Sequence, residues 1–124
     1  MREAHARILD LNSEIESMLK PGAECRALCD FAFEKAKKLP AGAAFMGIGD
    51  NFMRFIGHGV GLELDELPVL TSRSNAQLES GMIIAIEPKA FFSERGGVGI
   101  ENMYLITDAG CEKLTEYREE VIYC

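Results

Sequence analysis

The chain contains no apolar run long enough to cross a membrane. Its longest uninterrupted apolar stretch is the five residues Met82 to Ile86, against the ~20 that a spanning helix needs. It also lacks a CxxC pair. Cys25 and Cys29 are four apart, so they share one face of any helix there, and no His-x-x-x-His partner accompanies them. That argues against a structural zinc site and for a reduced, intracellular protein. Basic character is scarce, with 13 Lys and Arg against 20 Asp and Glu and a net charge of −7. The nearest approach to a basic patch, Lys35, Lys37 and Lys38, reads as a solvated helix end, so no nucleic-acid partner is expected. The opening MREAHARILD is charged and helical in pattern, unlike a signal peptide. With neither a span nor a leader, the expected location is the cytoplasm, with no membrane partner.

What is present is the composition of a folded domain. Hydrophobic residues make up 48% and charged residues 27% of 124 residues, which fits one domain over 1–124. Over residues 3–19 the apolar positions Ile8, Leu11, Ile15, Met18 and Leu19 follow the spacing of an amphipathic helix. Lys20-Pro21-Gly22 stops it, since proline lacks the amide and glycine permits the turn. His5 falls on the exposed-looking side. A second helix is expected over 24–38, with Cys25, Leu28, Cys29, Ala32 and Ala36 on one face and Pro40 beyond its end.

From Ala41 the texture changes. The stretch AGAAFMGIGDNFMRFIGHGVG holds six glycines and reads as loop with short extended pieces. Leu62 to Leu67 (LELDEL) alternates apolar and acidic residues, as an extended segment with one charged face does. Residues 71–81 are polar turn material. A short apolar strand over 81–88 ends in Glu87, and 89–93 extends it. Glu94 to Gly97 forms a turn, and 98–107 returns as a second strand. Thr107-Asp108-Ala109-Gly110 signals a tight turn, and 111–114 and 117–123 are expected to close the fold as short strands. Two helices followed by mainly antiparallel strands make an α+β arrangement.

Glu87 ends an apolar strand, and Glu101 stands in GVGIENMYLI among small and apolar residues. Each alone reads equally well as a strand-edge glutamate facing water. Together they are more informative, because a hairpin closed at 94–97 sets them opposite each other within a residue or two. Directly opposed residues have Cβ atoms roughly 4.5–5.5 Å apart. Two carboxylates that close need a shared proton or a cation, and a pair of metals about 3.5–4 Å apart suits bridging carboxylates. His58, in GHGVG, supplies a nitrogen flanked by glycines that allow close backbone approach. A lone histidine is more often structural, but the glycine setting and two orphan glutamates make a ligand an equal reading.

Three segments, FIGHGVGLELDELPVL (55–70), GMIIAIEPKAF and GVGIENMYLIT, match in order and spacing the signature of the pita-bread metallopeptidases. That family includes methionine aminopeptidase, Xaa-Pro aminopeptidase and prolidase. MLKPGA (18–23) also resembles the family's helix that ends in a Lys-Pro-Gly turn. The resemblance covers nearly the whole chain and implies the C-terminal half of the catalytic domain. It implies two divalent metals (manganese, cobalt or zinc) held by two aspartates, one histidine and two glutamates, with a metal-bound hydroxide attacking the scissile carbonyl. By this resemblance His58, Glu87 and Glu101 are metal ligands, and Glu87 also helps move the proton of the attacking water. The GHGVGLELDELP pattern lies nearer the Xaa-Pro branch, whose substrates are peptides with proline in second position.

Two departures follow. Asp10, Asp30 and Asp50 do not sit in the context of the family's aspartate pair, so two of five ligands are missing, and the isolated chain is expected to bind one metal or none and to be inactive. Many family members carry a second histidine seven residues after the first, where it contacts the substrate and the reacting group. Here that position is Asp65, assigned by resemblance to the catalytic set with Glu87. The plain alternative for Asp65 and Glu66 is a solvated charged edge. A non-catalytic peptide- or protein-binding module is the other functional reading, and a half-domain is expected to cover its open face by forming a homodimer.

Overall fold

The computed structural model describes residues 1–121. Two helices come first, α1 (Arg2–Glu16) and α2 (Cys25–Ala36). Eight strands follow, namely β1 (Ala43–Phe45), β2 (Phe55–Gly59), β3 (Glu66–Thr71), β4 (Ile83–Ile86), β5 (Lys89–Phe92), β6 (Gly96–Gly99), β7 (Asn102–Thr107) and β8 (Gly110–Lys113). They form two antiparallel sheets, one in the order β1-β5-β6 and one in the order β3-β2-β4-β7-β8. The expected α+β arrangement is therefore the observed one.

The helices stop a little earlier than the periodicity predicts. After Glu16 the chain tightens into i→i−3 bonds, Met18 N–H to the Ile15 carbonyl and Leu19 N–H to the Glu16 carbonyl. Gly22 then turns the chain at φ +83°, a left-handed conformation that glycine takes at no steric cost. Cys25, Leu28, Cys29 and Ala32 form the buried face of α2 as the spacing predicts.

The five-stranded sheet has one face against the helices. Ile56, Leu70, Ile84, Ile86, Tyr104 and Ile106 are fully buried there with Leu11, Ile15, Leu28 and Cys29. A second, smaller cluster joins the start of α1 to the three-stranded sheet through Ala4, Ile8, Ala90 and Phe92. Helix α1 thus packs on both sheets. This overturns the surface reading of His5, which is only 9% exposed, because the side of α1 that looks free in isolation also meets neighbouring elements.

Other expectations are corrected by the same two-sheet construction. The segment 89–93 does not extend β4 but enters the other sheet as β5, and 98–107 is split into β6 and β7, again in different sheets. The glycine-rich stretch contains a central strand, β2, paired on both sides. Only Glu66 and Leu67 of the alternating LELDEL segment are in a strand, while Leu62, Leu64 and Leu67 stand exposed. Cys111 to Lys113 lies in β8 as expected, but residues 117–121 form no strand. The remainder of that expected strand, 122–123, lies outside the described residues.

A buried polar group fastens α1 to β7. The Asn12 amide donates to the Tyr104 hydroxyl at 2.7 Å, and that hydroxyl donates to Glu16 Oε2 at 3.2 Å. Burial pushes the Tyr104 phenol above its ordinary range, the Asn12 bond opposes this, and the Glu16 charge adds to it. Tyr104→Phe leaves the buried Asn12 amide without its partner and is expected to cost about 1–3 kcal/mol in urea unfolding. Adding Asn12→Leu, which removes the stranded amide as well, should recover part of that loss.

Candidate metal centre

The side chains that sequence reasoning selected are gathered by sheet register. His58 on β2 pairs with Ala85 on β4, and Ala85 pairs with Met103 on β7. Directly paired residues share a sheet face, and so do residues two apart on a strand. His58, Ala85, Met103, Glu87 and Glu101 therefore project to the face opposite the helix-covered one. The β4–β7 pairing ends at Ile86 with Asn102, and the β5–β6 pairing begins at Lys89 with Gly99. Both ladders keep one register, with Ile100 N–H bonded to the Pro88 carbonyl between them. Extending either ladder sets Glu87 opposite Glu101.

Strand β2 has register shifts on both sides of His58 in its pairing with β3. Such irregularities bend a strand and re-aim a side chain, and they recur beside active sites. The flanking glycines have a defined steric role. A Cβ on Gly57 would lie 2.2 Å from the Ala85 carbonyl oxygen, and one on Gly59 would lie 2.5 Å from that of Leu67.

His58 is only 6% exposed and Glu87 only 7%. The His58 Nδ1–H donates to the Gly59 carbonyl at 3.0 Å. Its Nε2 lies 2.8 Å from Asp65 Oδ1 and 3.6 Å from Glu87 Oε1. Each polar contact described for this ring is thus with an oxygen acceptor, and Nε2 faces two carboxylates, one of them buried. A cation between the three would satisfy them all. One imidazole nitrogen with carboxylate oxygens suits a divalent first-row metal. The donor chemistry fits such an ion.

The positions are less complete than the chemistry. Among the described residues no group of three His, Cys, Asp or Glu is arranged closely enough to hold a metal. His58, Glu87 and Asp65 come together, whereas Glu101 is exposed. It stands across from Glu87 on an open groove of about 400 Å³ whose lining includes Lys89, Phe91, Val98 and Ile100. The next residue, Asn102, is buried and donates to Glu119 Oε1 at 2.7 Å. Lys113 also bonds Glu119 and, foremost among the causes, holds its carboxyl below the usual range.

One partner escaped the sequence reading. Lys89 bonds Glu87 Oε2 and forms an ion pair with it. A lysine two residues beyond a carboxylate, on the same strand face, was the available signal. Asp65 is 73% exposed at its side chain yet reaches His58. The Glu66 carboxylate tightens the same loop, accepting from Glu63 N–H at 3.2 Å. Cys25 and Cys29 offer no competing site, since burial pushes the Cys29 thiol up to about 11 and raises that of Cys25.

Residues 1–108 match the profile of metallopeptidase family M24. The chain belongs to this family. It is 35% identical over 121 residues to an Xaa-Pro dipeptidase of Pyrococcus furiosus, covering 98% of this chain and 33% of that protein. It is 43% identical over 79 residues to an uncharacterized peptidase of Bacillus subtilis, covering 64% and 22%. Among solved structures, prolidase from Pyrococcus furiosus superposes with a TM-score of 0.79 at 35% identity, over 94% of this chain and 33% of that one. The M24 chain therefore spans about a third of the length of the Pyrococcus relative it matches, and its fold is half of the pita-bread architecture.

Gly57→Ala is expected to cost more than the roughly 1–3 kcal/mol typical of an overpacked core, because its methyl meets backbone rather than side chain. Gly61→Ala should fold nearly normally. There the atoms nearest the added Cβ belong to the Glu66 carboxylate, the far end of a flexible side chain that can shift at the cost of its bond to Glu63 N–H. Urea unfolding of the two variants separates these outcomes.

Proposed function

We propose that this chain is the metal-holding C-terminal half of an Xaa-Pro peptidase, resembling prolidase or the Xaa-Pro aminopeptidases, acting on peptides with proline in second position. The observation that supports this most is the buried Glu87 beside His58 Nε2, on a strand face that also carries Glu101. In this reading His58, Glu87 and Glu101 hold divalent metal, manganese being the first to test. Two such ions in the complete site would polarise the scissile carbonyl and acidify the attacking water. Glu87, buried beside His58, would take and return the proton of that water in this reading. Asp65, which meets Nε2 in the metal-free chain, would yield that nitrogen to the metal and could then accept a hydrogen bond from substrate.

The five-ligand set implied by the family resemblance is only partly present, so the 124-residue chain alone is expected to hydrolyse Xaa-Pro substrates slowly or not at all. A rate with Mn²⁺ like that of a complete enzyme would overturn this. Calorimetric titration with Mn²⁺ tests the centre itself. His58→Ala and Glu87→Gln should each weaken binding by more than the roughly 10–100-fold usual for outer-shell changes.

The exposed Glu101 favours a second reading, a pita-bread module that binds a peptide or protein without catalysis. Absence of Mn²⁺ binding, even with the other half of the domain supplied in trans, would support it. A half-domain with Leu62, Leu64 and Leu67 exposed is also expected to self-associate as a homodimer, and a strictly monomeric species by light scattering at micromolar concentration would count against that.

A further inference from the structure

The cation that balances Glu87 is already part of the chain. Glu87 and Lys89 are two residues apart and project to one face, and the lysine ammonium bonds Glu87 Oε2. The lysine stem reaches it across Gly99, its partner on β6. A Cβ built on Gly99 would come within 2.6 Å of Lys89 Cγ and 3.3 Å of its Cβ. The glycine leaves a slot in which the stem lies. His58 Nε2, at 3.6 Å from Glu87 Oε1, is beyond hydrogen-bond reach. Burying a carboxylate without an opposite charge is costly, and the ammonium is the hydrogen-bonded charge that offsets it here. The Lys89 side chain is nevertheless 30% exposed and borders the open groove beside Glu101, so the ammonium has room to withdraw.

We infer that Lys89 is a resident counter-ion that competes with a divalent metal for the Glu87 carboxylate, and that metal loading requires the lysine to leave the Gly99 slot. This rests on the metal-centre reading above. It gives Lys89 a positioning role. In the metal-free protein Glu87 stays charge-balanced and held in place, and the affinity for metal is set below what the bare donor set would provide. Charge-assisted bonds are among the stronger single contacts in proteins, so the lysine imposes a sizeable threshold on loading.

The test uses the full chain and Mn²⁺, with calorimetric Kd and thermal melting with and without metal. Lys89→Met keeps the stem and removes the charge. It should bind Mn²⁺ roughly tenfold more tightly, about the effect of one such bond, and should melt lower than wild type when metal-free. Gly99→Ala, which fills the slot while keeping the lysine, should also tighten binding. Lys89→Arg, which keeps the cation, should stay near wild type. Mn²⁺ binding of equal or lower affinity in both Lys89→Met and Gly99→Ala would overturn the competition and leave the metal centre standing. Failure of wild type and both variants to bind Mn²⁺ would overturn the metal centre and the competition with it.

Discussion

A single antiparallel register, carried without slippage from one sheet into the other, governs the arrangement of this molecule. Strands β4 and β5 run against β7 and β6 as one ribbon that changes sheets at Glu87-Pro88 on one side and Ile100-Glu101 on the other. Side chains alternate with a period of two, so a slip of one residue would turn Ile84, Ile86 and Tyr104 outwards. Those residues are fully buried, and their burial fixes the register. The same register sends His58, Glu87, Lys89 and Glu101 to the other face. The apolar side of the sheet thereby sets the geometry of the polar side.

This explains which features were legible in the sequence. The opposition of Glu87 and Glu101 could be read because it depends only on the turn near Glu94 and on strand periodicity. The buried face of α2 was legible for the same reason, being a local repeat. The change of sheet was not, since a chain passing between two sheets keeps an extended texture throughout. Strand β2 was hidden by its glycines, which are there because neighbouring backbone leaves no space for a Cβ. His5 was misread because helical spacing reveals one apolar stripe but not how many surfaces a helix will meet. The Lys89–Glu87 pair had a local signal in its two-residue spacing, but the stem's passage across an absent side chain at Gly99 relates residues ten apart and has none.

The candidate centre combines rigid and adjustable parts. His58 is buried on the central strand β2 and Glu87 just past the end of β4, where its amide is bonded to the Ile56 carbonyl at 2.9 Å. Asp65 sits on an exposed loop and Glu101 on the rim of an open groove. Under the proposed half-site reading, fixed anchors and movable outer groups would suit a centre completed by further ligands. Cys25 and Cys29 contribute to the packing of the core.

Helix α1 places a further constraint on this arrangement. Its first turns cover Ala90 and Phe92, while its later turns cover the core of the other sheet. The ribbon switches sheets beneath that span, so the junction containing Glu87 has the helix as a common roof. Peeling the helix away would remove the shared support of both sheets and expose their inner faces to water together. Fluctuations large enough to free the Glu87 amide for hydrogen exchange are therefore tied to nearly global opening, so the backbone of the candidate centre is expected to exchange slowly.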